Sequence, residues 1–196
     1  MYPWYNVLWY ILACMNVAGE SLEKQDVDLV RDIANMYNYD CVALVINRSK
    51  KKDIAKFVKD ILKKTVIIDT SAEELLFYQK CLVFAVDDDE DDDEHIDKLL
   101  KDNSSLIAQS NVFIKTTNIK RVVGWMEKAL RFDSNFNLVV KVGEDKLEIK
   151  EVYSTNSEDS EPIHLSTYGH WHEGRLIIGH PNMWDRRTDL FGAILK

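Results

Sequence analysis

The sequence predicts an α/β fold: a single mostly parallel sheet with helices on both faces, followed by an edge hairpin and an extended tail. Three observations carry that expectation. Between Leu22 and Leu130 the apolar residues switch repeatedly between the helical spacing of three or four and short continuous runs of strand length. Those runs are apolar throughout rather than alternating, as in parallel strands covered on both sides. The order of elements is strand, helix, strand, helix, which crossover connections wind into a parallel sheet.

Each element has its own justification. Val27, Val30, Ile33, Ala34 and Tyr37 fall on one face of a first helix. Residues 41–46, CVALVI, make the first strand, and Ile54, Phe57, Val58, Ile61 and Leu62 define a second helix with a lysine-rich outer face. A short strand, TVIID at 65–69, follows, and Ser71 with Glu74 supplies a capping box for the next helix. CLVFAV at 81–86 is a third strand, residues 95–100 a helix after an acidic loop, and NVFIK at 111–115 a fourth strand. Ile119, Val122, Val123, Met126 and Leu130 then make another amphipathic helix. Beyond Asp133 the rhythm changes. NLVVKV and KLEIKEVY flank Gly143, Glu144 and Asp145 and read as an antiparallel hairpin at the sheet edge. STNSEDSEP at 154–162 is polar and turn-rich, a linker by composition. The stretch from 163 to 196 holds four of the seven glycines and is too short for a core of its own.

Length and composition set outer limits. The chain has 196 residues, 46% of them apolar, which suits one globular domain with short extensions. A formal charge of −8 repels a phosphate backbone and argues against nucleic acid as a partner. Residues 7–18 are largely apolar, too short to span a bilayer and followed by small residues. Residues 1–19 therefore read as a secretory signal peptide, with Val17 and Gly19 as the small pair before cleavage. Elsewhere no apolar stretch approaches the length of a membrane helix, so this segment makes no membrane contact of its own.

Secretion changes how cysteine and asparagine are read. Cys14 leaves with the signal, and Cys41 and Cys81 remain as an even pair in an oxidising compartment. In a periplasmic-binding or flavodoxin-like lobe the first and third strands are neighbours, and the matching runs CVALVIN and CLVFAVD would place the two cysteines at equivalent starts of adjacent strands. Strand spacing of about 4.8 Å then allows a disulfide, with two buried thiols as the alternative. Asn47 and Asn103 both begin N-glycosylation sequons, which demand surface positions in the secretory lumen.

An α/β sheet invites an enzyme hypothesis, which glycine usage opposes. No glycine lies between Gly19 and Gly124, although a phosphate cradle needs close backbone approach and positive φ angles. There is no GxSxG elbow and no HExxH helix, so neither an enzyme activity nor a cofactor is expected. The acidic run at 87–94, DDDEDDDE, fails as a calcium loop because Asp92 stands where glycine should turn the chain and Lys98 where the closing glutamate should sit. It reads as a solvated, self-repelling loop. His170 and His172 share one strand face, but no cysteine stands nearby to complete a zinc site.

The C-terminal residues carry a resemblance. WDRRTDLFGAILK is similar to the segment of insect ionotropic receptors where the N-terminal region runs into the first strand of the ligand-binding domain. Arg186, Arg187, Asp189, Leu190, Gly192 and Leu195 match that family's pattern. Glu151, Val152 and Tyr153, with the 169–171 stretch, look like the end of the N-terminal domain in the antennal, acid-sensing branch. The resemblance covers about a quarter of the chain. It implies an extracellular N-terminal domain, residues 20–153, of a chemosensory ligand-gated cation channel subunit, olfactory in role and lacking the ligand site and pore. Residues 154–185 would form a linker and extended segment, and residues 186–196 the start of a truncated ligand-binding domain. The implied partners are other receptor subunits, including a co-receptor. The implied location is the secretory pathway and the outer side of the plasma membrane. Taken alone, Arg186 and Arg187 read as two exposed cations whose pairing with Asp185 and Asp189 would contribute little. The competing expectation is a free-standing secreted α/β binding protein.

Overall fold

A computed structural model describes residues 24–45, 65–68, 81–87, 100, 111–154 and 163–187. Helix α1, Lys24–Met36, turns its valines, leucine and isoleucine inward at helical spacing. Asn38 ends it at φ 55, with Tyr39 N–H donating to the Ala34 carbonyl at 2.8 Å and Asn38 N–H to Asn35 at 3.2 Å. That paired closure is a Schellman cap, and asparagine tolerates its left-handed residue.

Eight strands form one sheet in the order β2-β1-β3-β4-β5-β6-β7-β8. β1 (Cys41–Val45), β2 (Thr65–Ile68), β3 (Cys81–Asp87), β4 (Val112–Thr116) and β5 (Phe136–Gly143) are joined by parallel pairings. β6 (Lys146–Ser154), β7 (Ile163–His172) and β8 (Arg175–Ile178) continue from β5 by antiparallel pairings. α2, Ile119–Met126, follows β4, with Asn118 capping it by accepting from Arg121 N–H at 3.1 Å. α3, Met183–Arg186, is a single turn after β8.

This corrects the expected fold class. The sheet is mixed rather than mostly parallel, and in place of layers of helices each face carries a single helix among the described residues, α1 on one side and α2 on the other. It is a curled mixed sheet with few helices, and the antiparallel half is a meander rather than one edge hairpin. The expected extended tail is replaced as well, because Ile163–His172 and Arg175–Ile178 are strands of that sheet. The helices expected over 54–62, after Ser71 and over 95–99 lie outside the described residues.

Two apolar layers cover the sheet. On one face Val27, Leu29, Val30 and Ile33 of α1 pack on Val42, Leu44, Leu82, Phe84, Phe113, Val139, Leu147 and Ile149. On the other, Val122 and Met126 of α2 pack with Ala43, Val83, Ile114, Phe136, Leu138 and Val152. Within the α1 layer, Lys115 of β4 meets Asp26 of α1 at 3.0 Å, with side chains 3% and 0% exposed. This buried ion pair fixes the register of helix on sheet, since breaking such a pair away from water is strongly destabilising. Among the described residues no helix is long and apolar enough to cross a membrane.

Candidate functional site

Strand alternation on β6 places Leu147, Ile149, Glu151 and Tyr153 on the face that α1 covers, with Leu147 and Ile149 under the helix and Glu151 further along. Where the pairing of β6 with β7 shifts register between Ile149 and Lys150, Tyr168 packs onto the same layer. Its hydroxyl donates to Asn137 Oδ1 of β5 at 2.9 Å. These residues leave a carboxylate and two aromatic rings on a surface that the next segment of chain closes.

That segment runs from β8 through Pro181 into α3. Tyr37, at the end of α1, donates its hydroxyl to the Pro181 carbonyl at 3.2 Å, and Asn182 caps α3 by accepting from Trp184 N–H at 2.9 Å. Arg186 and Arg187 then share one acceptor: each donates from Nη2 to Glu151 Oε2, at 3.0 and 3.1 Å. Arg186 Nη1 also donates to the carbonyls of His180 at 2.5 Å and Pro181 at 3.0 Å. Arg187 Nη1 donates to the Phe132 carbonyl, and its Nη2 to that of Ser134 at 3.0 Å. The Arg186 guanidinium lies over the Tyr168 ring at 3.9 Å and that of Arg187 over Tyr153 at 4.1 Å. Tyr153 in turn stacks on His164, with centroids 5.2 Å apart.

The electrostatics follow from burial. Glu151 and Arg187 are each 2% exposed and the Arg186 side chain 8%, so a carboxylate and two guanidinia sit out of water. One negative charge cannot neutralise two positive ones. The remainder is spread over four carbonyl dipoles and two ring faces, which a planar guanidinium engages better than an ammonium could. Burial acts against the Arg187 cation and lowers its pKa, with Glu151 opposing that effect. Burial likewise pushes the Tyr168 phenol well above its ordinary value, and Tyr37 upward against the pull of Arg186. Among the described residues the Nε–H groups of both arginines are buried without an acceptor. The arrangement therefore binds one part of the chain to another.

A second polar cluster sits at the carboxyl ends of β3 and β4. Asp87 accepts from Thr116 Oγ1 at 2.7 Å and Arg121 Nη2 at 2.6 Å. Both Asp87 and Thr116 are buried, and the carboxylate is committed to Arg121, so the pair holds the strand ends rather than activating a hydroxyl. Asp87 is the one described member of the acidic run, and it is an interior residue there.

The sequence-predicted residues fall as follows. Cys41 and Cys81 are register partners on adjacent parallel strands, joined by a disulfide with a Cα separation of 4.7 Å. Arg186 and Arg187 are buried on Glu151 instead of standing in solvent beside Asp185, which corrects the reading of two exposed cations. Asn47, Asn103, Asp189, Leu190 and Gly192 lie outside the described residues. His170 pairs with Glu148 across β6 and β7, and among the described residues no three His, Cys, Asp or Glu side chains converge as a metal site. Glu151 and Tyr153 enter the sequence expectations only through the resemblance, and Tyr168 does not enter them at all. The available signal was period two: Glu151 lies on the same face as Leu147 and Ile149, so a buried charge needing a cation was foreseeable. No family model, no curated protein and no solved structure matches this chain.

Proposed function

We propose that this chain is the extracellular N-terminal domain of a chemosensory ligand-gated cation channel subunit of the ionotropic receptor kind. It serves folding, assembly or trafficking, while ligand site and pore belong to other parts of the subunit. One observation carries the reading: Arg186 and Arg187, two of the residues on which the resemblance rests, fasten the segment after β8 to the sheet through Glu151. A domain meant to carry another on its C-terminal side needs a stiff exit, and a buried charge cluster gives one that a polar linker would not. The Cys41–Cys81 disulfide is compatible with an oxidising, extracellular location.

The test has two parts. Reading the transcript past codon 196 is expected to give a strand-rich domain interrupted by apolar spans of about 20 residues. An in-frame stop there refutes the receptor reading and favours a free-standing secreted binding protein. If the spans are present, deleting residues 20–187 from the complete subunit is expected to abolish surface delivery when it is co-expressed with a co-receptor. Undiminished surface delivery would remove the assembly and trafficking role.

A further inference from the structure

The same two arginines form a consecutive basic pair. Elsewhere in the described chain basic residues stand mainly at exposed positions, as Arg131 does with its side chain 59% exposed. We infer that Arg186 and Arg187 constitute a latent cleavage site for an endoprotease of paired-basic specificity, and that Glu151 keeps it uncut in the folded protein. This inference goes beyond the receptor reading and does not require it.

The physical case is one of competition for the same groups. A protease that selects two consecutive arginines must offer each guanidinium a carboxylate-lined subsite. It must also take the chain extended, so that the backbone can pair along its cleft. In the fold both demands are refused. The guanidinia are held by Glu151 Oε2 and by the carbonyls of Phe132, Ser134, His180 and Pro181. The backbone at Met183–Arg186 is helical, and Arg187 N–H donates back to Met183 at 3.1 Å. A helix of one turn has no stability of its own. Its persistence rests on the side-chain lock, and among the described residues Glu151 is the one carboxylate in that lock.

Cleavage is ordinary hydrolysis. Water adds across the peptide bond between Arg187 and Thr188, the carbonyl carbon taking the hydroxyl and the Thr188 nitrogen the proton. The products are a carboxylate at Arg187 and a free amine at Thr188, and no oxidant or cofactor is required. The sheet is thereby parted from everything that follows Arg187. Cutting rate reports how often the lock opens, since proteolysis tracks the open population when reclosing is fast.

The experiment is timed digestion of the full chain in native buffer with trypsin, the cuts mapped by mass spectrometry. The wild-type protein is expected to be cut after Arg131 long before Arg187. Glu151→Gln keeps the shape but removes the charge, and is expected to speed cutting after Arg186 or Arg187 on the order of 100-fold with Arg131 unchanged. An endoprotease requiring paired basic residues should then cut this variant after Arg187 and leave Arg131 intact. The inference is overturned if wild-type Arg187 is cut as fast as Arg131, if the variant is cut no faster than wild type, or if the paired-basic enzyme ignores the variant. Should Glu151→Gln unfold the whole protein, wild-type digestion in graded urea decides. Cutting at Arg187 that rises before the global transition supports a local lock, and cutting that rises only with it overturns one.

Discussion

Replacing Cys41 and Cys81 together by alanine is expected to cost the protein about 4 kcal/mol. The figure comes from the 40-residue separation between the cysteines, which in the unfolded chain limits a loop to far fewer conformations. The chain-entropy relation for a loop of that length gives about 4 kcal/mol at room temperature. The effect belongs to the unfolded state, because the strands are already register partners with Cys41 opposite Cys81 and the folded sheet loses only one link between them. Urea unfolding is the assay. With a slope of about 2 kcal/mol per molar, the midpoint should fall by about 2 M, and the melting temperature by roughly 8 to 16 °C for a chain of this size. A loss below about 1 kcal/mol would refute the reasoning. So would alkylation of both cysteines in folded, unreduced protein.

Three further outcomes are expected. Lys115→Met breaks the buried ion pair with Asp26 and should cost about 3 to 5 kcal/mol in urea unfolding, while a cost below 1 kcal/mol would mean that the pair is not what holds α1 on the sheet. Gly169→Ala drives a methyl to within 2.9 Å of Ile178 Cγ1 and 3.1 Å of the Ile177 carbonyl, so it should destabilise by about 1 to 3 kcal/mol; adding Ile178→Ala should return part of that loss, and strict additivity of the two changes would argue against the clash. Burial raises the phenols of Tyr37, Tyr39, Tyr153 and Tyr168, so the fold favours their neutral form and the associated stability is complete below about pH 10, the unfolded value. That stability is lost as pH climbs from there toward the folded values; urea midpoints that stay flat from pH 9 to about pH 11 would contradict the expectation.

The parallel half of the sheet was legible in the sequence because nothing competes with its signal. Residues 42–45 and Cys81–Asp87 are buried on both faces, and an uninterrupted apolar run is what such strands look like. The neighbourhood of β1 and β3 was accessible from the matching cysteines. β7 was not, for a physical reason. Its sequence IHLSTYGHWH alternates weakly, only two of its ten residues are fully buried, and the irregularity near Tyr168 breaks the period of two midway. Glu173 and Gly174, at φ 49 and 77, are the two central residues of the tight turn into β8, and glutamate there lacks the asparagine or aspartate before glycine that marks such a turn in a sequence. The junction was half legible. Arg186 and Arg187 stood out by their pattern and Glu151 by its place on the buried face of β6, but nothing in either local spacing pairs the two, because they lie far apart in sequence.

β5 borders β4 in parallel and β6 in antiparallel fashion, which makes it the seam between two different ways of assembling a sheet. From β5 to β8 the neighbours are consecutive, and two-residue turns join β5 to β6 and β7 to β8, so little loop entropy is spent in closing them. From β1 to β4 each pairing must wait for a long crossover, which is the slower process. Assembly therefore has a direction opposite to that of synthesis. The meander is expected to collapse first and to offer the free edge of β5 as a template for β4, then β3 and β1, an order that pulse-labelled hydrogen exchange would read as protection spreading from residues 136–178 toward residues 41–45. If β1 gained protection before β6, that template role would be wrong.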